Sequence, residues 1–106
     1  MELPIPEEPL NLKRRVLDLR SRLGPNVGID WDNSALWFGN PIPSYLWKYW
    51  KSELRSRGFT WQKFLKLMKL MNRDALLWVN DKISWEEFVK RVIETIESPL
   101  GELLRN

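Results

Sequence analysis

A chain of 106 residues with 43% hydrophobic content is long enough for one domain whose core needs neither disulfide nor metal. It contains no cysteine and no histidine, which removes disulfide frameworks, thiol chemistry, most zinc sites and serine–histidine catalysis. The formal charge of +3 conceals a segregation, because residues 11–73 sum to +9 while residues 1–10 and 74–106 each sum to −3. A field concentrated in the middle of a chain attracts polyanions. Its plainer counterpart is a solvated surface, with the acidic C-terminal part packed against the basic part.

The opening MELPIPEEPLN has neither a basic start nor an apolar centre, and no run approaches the length of a membrane span. Secretion and membrane insertion therefore have no support, and a cytoplasmic site is the default expectation. Pro4, Pro6 and Pro9 prevent regular pairing, so residues 1–10 are expected to form an extended or mobile tail, with a single helical domain over residues 11–106.

From Asn11, the residues Leu12, Val16, Leu19 and Leu23 fall at i, i+4, i+7 and i+11 and make one apolar stripe, which Gly24-Pro25 stops. Lys13 and Arg20 lie on one flank of that stripe, and Arg15 and Arg22 on the other. This helix presents cations wherever it meets water.

Residues 26–43, NVGIDWDNSALWFGNPIP, predict an extended stretch and then a short helix over residues 34–38, capped by Asp32 or Asn33 and stopped by Gly39. Asp30 and Asp32, flanked by apolar residues, are similar to the metal-binding carboxylate pair of primase-type polymerases and some nucleases. That resemblance implies Mg²⁺ held over a phosphate in a small phosphoryl-transfer enzyme. Helix capping accounts for the same residue types and is preferred, so no metal ligand or catalytic residue is assigned.

The stretch over residues 44–72, SYLWKYWKSELRSRGFTWQKFLKLMKLMN, reads as two helices and a tight turn, and it organises the chain. Gly58 suits the left-handed residue that ends a helix, with Phe59 packing back on Leu54. Thr60 caps the next helix, and Phe59 and Phe64 have the spacing of a hydrophobic staple. In the first of these helices Leu46, Trp47, Trp50 and Leu54 share a face, beside a cationic stripe of Lys48, Lys51 and Arg55. In the second, Trp61, Phe64, Leu65, Met68 and Met71 face inward, while Gln62, Lys66, Lys69 and Arg73 gather opposite.

Residues 54–64, LRSRGFTWQKF, resemble the helix-turn-helix of DNA-binding proteins, in which the second helix enters the major groove. The resemblance implies a DNA-binding hairpin. Where that family usually has a small residue four positions before the glycine, this chain has Leu54. The second helix offers a groove Gln62, Lys63, Lys66, Lys69 and Arg73, and lysines hold phosphates better than they read bases.

A short helix through Ala75 and Val79 is expected to bury Leu76, Leu77 and Trp78, followed by a loop over residues 80–83. NDKISWEEF is similar to the end of a calcium-binding EF-hand loop. That register, however, places Leu76 and Trp78 where oxygen ligands belong and Asp81 where glycine is needed, so calcium is rejected. Ser84 and Glu87 make a capping box, Ile83 and Phe88 a staple, and Trp85, Val89, Val92, Ile93 and Ile96 a buried stripe that ends at Ser98-Pro99. The final residues are expected to add one frayed turn that tucks in Leu103 or Leu104.

The expected architecture is an all-α fold, a single compact bundle of about five helices with a central helix-turn-helix-like hairpin. The expected function is that of a non-enzymatic nucleic-acid-binding module without cofactor, an accessory part of a replication, transcription or mobile-element assembly, with DNA ahead of RNA. Lys48, Lys51, Arg55, Lys63, Lys66 and Lys69 would hold phosphates, aided by Arg15 and Arg22, with Gln62 the one base-reading group early in its helix. Most of the seven tryptophans are expected in the core or at its edge. Trp31 and Trp37, in the irregular stretch, are the candidates to stack an unpaired base. The alternative is a protein interaction module that docks a partner through exposed tryptophans, and the two differ in salt dependence.

Overall fold

The computed structural model describes residues 3–9, 11–14, 17–18 and 41–106. Its first long helix, α1 (Pro41–Ser56), begins earlier than residue 44. Pro41 and Pro43 fit its first turn because the N–H groups they lack would have had no intrahelical acceptor. Ile42, Leu46, Trp50 and Leu54, four residues apart, form its buried edge.

Gly58 ends α1 with φ +97°. Phe59 N donates to the Leu54 carbonyl at 2.9 Å and Gly58 N to the Arg55 carbonyl at 3.0 Å, the paired bonds of a Schellman motif. Thr60 then accepts from Lys63 N and starts α2 (Trp61–Leu70). Phe59 and Phe64 are both buried, as a staple requires.

Met71 both closes α2 and opens α3 (Asn72–Val79), a break of one residue. On α3 the deeply buried apolar side chains are Ala75, Trp78 and Val79, whereas Leu76 and Leu77 are half-buried. The loop that follows is turned by Asp81 at φ +60°, a conformation aspartate tolerates better than most residues. Ser84 caps α4 (Trp85–Glu97) by accepting from Glu87 N at 3.0 Å, while the Glu87 carboxylate receives Arg91 Nε rather than completing a capping box.

Ser98 is the hinge of the C-terminus, serving as both the C-cap of α4 and the N-cap of α5 (Pro99–Arg105). In place of a frayed turn, α5 is a short helix folded back on α4, with Leu104 against the core and Leu103 71% exposed. Gly101 permits that return, since a Cβ there would lie 2.1 Å from the Ile96 carbonyl oxygen.

The architecture is an all-α bundle with no strand among the described residues. The central helix is α2, which packs against α1, α3, α4 and α5. Phe64, Leu67 and Met68 carry its burial, and each such side chain contributes roughly 1.5–3 kcal/mol by removal from water.

Two aromatic clusters fill the interior. Trp47 meets Trp61 and Phe64 at 5.7 and 5.6 Å between α1 and α2. Trp78, Trp85 and Phe88 meet at 4.8 to 6.1 Å, with Tyr45 at the edge of Trp85.

The N-terminal residues 3–9 carry no regular element but lie on the bundle rather than apart from it. Leu3 is 4% exposed and joins the core, and the indole N–H of Trp50 reaches the Pro4 carbonyl. Pro9 then accepts from the N–H groups of Leu12 and Lys13 as the chain turns helical at residues 11–14. Lys13 pairs with Asp81 and lies over the Trp78 ring, which ties this turn to the loop between α3 and α4.

Candidate nucleic-acid interface

Because the i, i+4 positions of α1 are buried, Lys48, Lys51, Ser52 and Arg55 are turned to water. With Tyr49 they line a shallow depression of about 420 Å³ that has no acidic side chain among the described residues. Seven residues of helix separate Lys48 from Arg55, or about 10 Å of axis, which is enough to reach more than one phosphate of a DNA strand. Tyr49 is 51% exposed, and the Lys48 ammonium lies 6.0 Å from its ring centroid.

Tyr49 is supported from beneath. The Tyr45 ring lies 5.0 Å away at a 56° tilt. Burial, and then a hydrogen bond with Tyr49, push the Tyr45 phenol up to about 12, and the nearby charge of Glu7 acts in the same direction. Tyr45 therefore stays neutral and donates its proton to the Glu7 carbonyl at 2.6 Å.

On α2 the residues Gln62, Lys66 and Lys69 share one exposed face, with exposed Arg73 just beyond it on α3. Lys63 does not join them. It is half-buried, and its ammonium donates to the Arg105 carbonyl at 2.8 Å, where it caps the end of α5. Arg15, Arg22, Trp31 and Trp37 lie outside the described residues, as do Asp30 and Asp32.

The acids of the C-terminal part are largely matched by bases near them. Arg91 bridges Asp74 and Glu87, which hold its guanidinium above its ordinary range, and Lys90 pairs with Glu86. Among the described residues, Arg57 is the base of the central hairpin drawn into ion pairs, with Glu53 of α1 and Glu97 of α4. Among the described residues no carboxylate lies within ion-pairing distance of Lys48, Lys51, Arg55, Lys66 or Lys69. Among the described residues, the charge segregation of the sequence thus persists as a cationic surface without carboxylate partners.

Comparison with family models, curated proteins and solved structures found no match to the chain.

The described tryptophans do not form an exposed docking face, since Trp50, Trp78 and Trp85 are buried and Trp47 and Trp61 are half-buried. The sequence reading missed Tyr49 as the exposed ring of the site. Its position between Lys48 and Lys51, outside the buried stripe of α1, was the available signal.

Proposed function

We propose that this chain is a non-enzymatic nucleic-acid-binding module that holds phosphates along the exposed face of α1. The observation that carries the reading is the juxtaposition of Lys48, Lys51 and Arg55 with the exposed ring of Tyr49 around one depression that has no acid among the described residues. Cations spaced along a helix neutralise successive phosphates, and an exposed aromatic face stacks an unpaired base. Lys66, Lys69 and Gln62 extend this chemistry on α2, the second helix of the helix-turn-helix-like hairpin.

Phosphate holding dominates base reading in this account because the exposed side chains of α2 are mainly lysines. DNA is the preferred partner, in a replication, transcription or mobile-element assembly. Titration of random and selected duplexes at fixed low salt tests the reading. Affinities within a few-fold of one another are expected, and Gln62→Ala should change little. A strong preference for one duplex that disappears in Gln62→Ala would replace phosphate holding with sequence readout.

A further inference from the structure

Residues 3–9 cross the bundle in a groove walled by Tyr45 and Trp50 of α1, Trp78 of α3 and Trp85 of α4. Proline fixes φ near −65° at positions 4, 6 and 9 and steers the preceding Leu3, Ile5 and Glu8 away from helix. These constraints favour an extended, polyproline-II-like path, whose period is three residues per turn. Burial follows that period: Leu3 and Pro6 are buried and Pro9 is half-buried, while Pro4, Ile5, Glu7 and Glu8 face outward.

The groove supplies a ladder of donors. Trp50 Nε1 donates to the Pro4 carbonyl at 2.7 Å, Trp85 Nε1 to the Pro6 carbonyl at 2.8 Å, and Tyr45 Oη to the Glu7 carbonyl at 2.6 Å. Trp78 Nε1 donates to the Glu8 carboxylate at 2.7 Å. Aromatic walls, ring N–H groups aimed at main-chain carbonyls and a three-fold extended ligand are the parts of polyproline recognition.

We propose that this groove is a binding site for a proline-rich, acidic segment of a partner protein, and that residues 3–9 are its resident ligand. The site uses other side chains of α1 than the cationic face and does not rest on the nucleic-acid reading. Three of its four hydrogen bonds go to main-chain carbonyls, which any proline-rich segment carries. The fourth selects a carboxylate two residues after the second proline, beside the Trp78 ring over which Lys13, paired with Asp81, lies at 5.7 Å from the centroid.

The resident segment is held by two buried side chains and four hydrogen bonds but lies outside α1–α5. Its release therefore gives up the Pro9 bonds to the turn at residues 11–14 and leaves those five helices in place. A second copy of this chain gains nothing by exchange, because its own segment already fills an identical groove. A partner's free segment gains every contact, at an apparent affinity reduced by the fraction of time the groove is open.

The test uses the full chain and a labelled peptide with the sequence of residues 3–10, LPIPEEPL, followed by fluorescence anisotropy. Leu3→Asp releases the resident segment, and the peptide should bind this variant about tenfold or more tightly than the unaltered chain. Replacing the three prolines of the peptide by alanine, or adding Trp85→Phe to the variant, should weaken binding by about tenfold or more. If Leu3→Asp does not fold, the Pro4→Ala/Pro6→Ala double variant, which leaves Leu3 in place, serves as the released form. The proposal is overturned by absence of saturable binding to a helical released variant, or by equal binding of the proline-free peptide. It is equally overturned by a dimer of the unaltered chain that grows with concentration in sedimentation and is lost in the released variant, since that would assign the groove to a second copy.

Discussion

The indole N–H of Trp85 donates to the carbonyl of Pro6 at 2.8 Å, joining α4 to a residue 79 positions earlier in the chain. Both residues are buried, so neither group has water to fall back on. Trp85→Phe would keep a ring against Trp78 and Phe88 but leave the Pro6 carbonyl without its donor. The expected cost is about 1–3 kcal/mol. Urea unfolding should show a lowered midpoint with an unchanged slope. A midpoint equal to that of the unaltered chain would mean that the segment over residues 3–9 contributes nothing to the fold.

Gly58 and Gly101 are required for different reasons, and alanine separates them. At Gly58 the backbone conformation is the constraint, for the nearest atom to an added Cβ is 3.9 Å away, so Gly58→Ala should cost about 1–2 kcal/mol. At Gly101 the constraint is space, because an added Cβ would sit 2.1 Å from the Ile96 carbonyl oxygen and 2.5 Å from that of Thr95. Backbone cannot yield as a side chain does. Gly101→Ala should therefore displace α5 and cost more, roughly 3 kcal/mol or above. Thermal unfolding of the two variants side by side gives the order, and equal losses would contradict the packing of α5 on α4.

Tyr45 makes stability depend on alkaline pH. Its phenol is raised to about 12 in the folded chain, against an ordinary value of 10.0 when unfolded. Between those values the unfolded chain binds fewer protons than the folded one, so stability falls as pH rises. The contribution is complete below pH 10.0 and is lost as pH passes through about 12. Ionisation also removes the proton given to the Glu7 carbonyl. Tyrosinate absorbance should show a phase centred near 12 that Tyr45→Phe removes. Persistence of that phase in the variant would assign it elsewhere.

Lys63 separates a structural cation from a binding one. Its ammonium caps α5 through the Arg105 carbonyl, so Lys63→Ala should lower stability by about 1 kcal/mol and leave the salt dependence of nucleic-acid binding nearly unchanged. A slope reduced by roughly one, with stability intact, would return Lys63 to the interface.

Much of the bundle was legible because its signals are local. Gly58, Thr60 and Ser84 each act on backbone groups within a few residues, and each adopts the capping role its neighbours imply. The four-residue spacing of Leu46, Trp50 and Leu54 marked the buried edge of α1 and, by exclusion, the exposed lysines. The docking of residues 3–9 was not legible. Prolines announce an extended segment but not where it lies, and its donors Trp50, Trp78 and Trp85 come from 46 to 79 residues away. For the same reason Lys63 looked like a surface cation, since its acceptor Arg105 is 42 residues distant. Leu76 and Leu77 looked like core because apolar character alone does not say which side of a two-turn helix is covered. Trp78 is buried as expected, and Ala75 and Val79 take the places beside it.

The central claim is that phosphates are held along the exposed face of α1, and the salt dependence of binding tests it most directly. Affinity for a random-sequence DNA duplex would be measured over a range of salt concentrations for the unaltered chain and for the Lys48→Ala/Lys51→Ala/Arg55→Ala variant. Each lost phosphate contact lowers the slope of log affinity against log salt by about 0.9, so the triple variant should lose between two and three units of slope. Circular dichroism would confirm that its helices are intact. A slope unchanged in the folded triple variant, or no binding of the unaltered chain at low salt, would contradict the account.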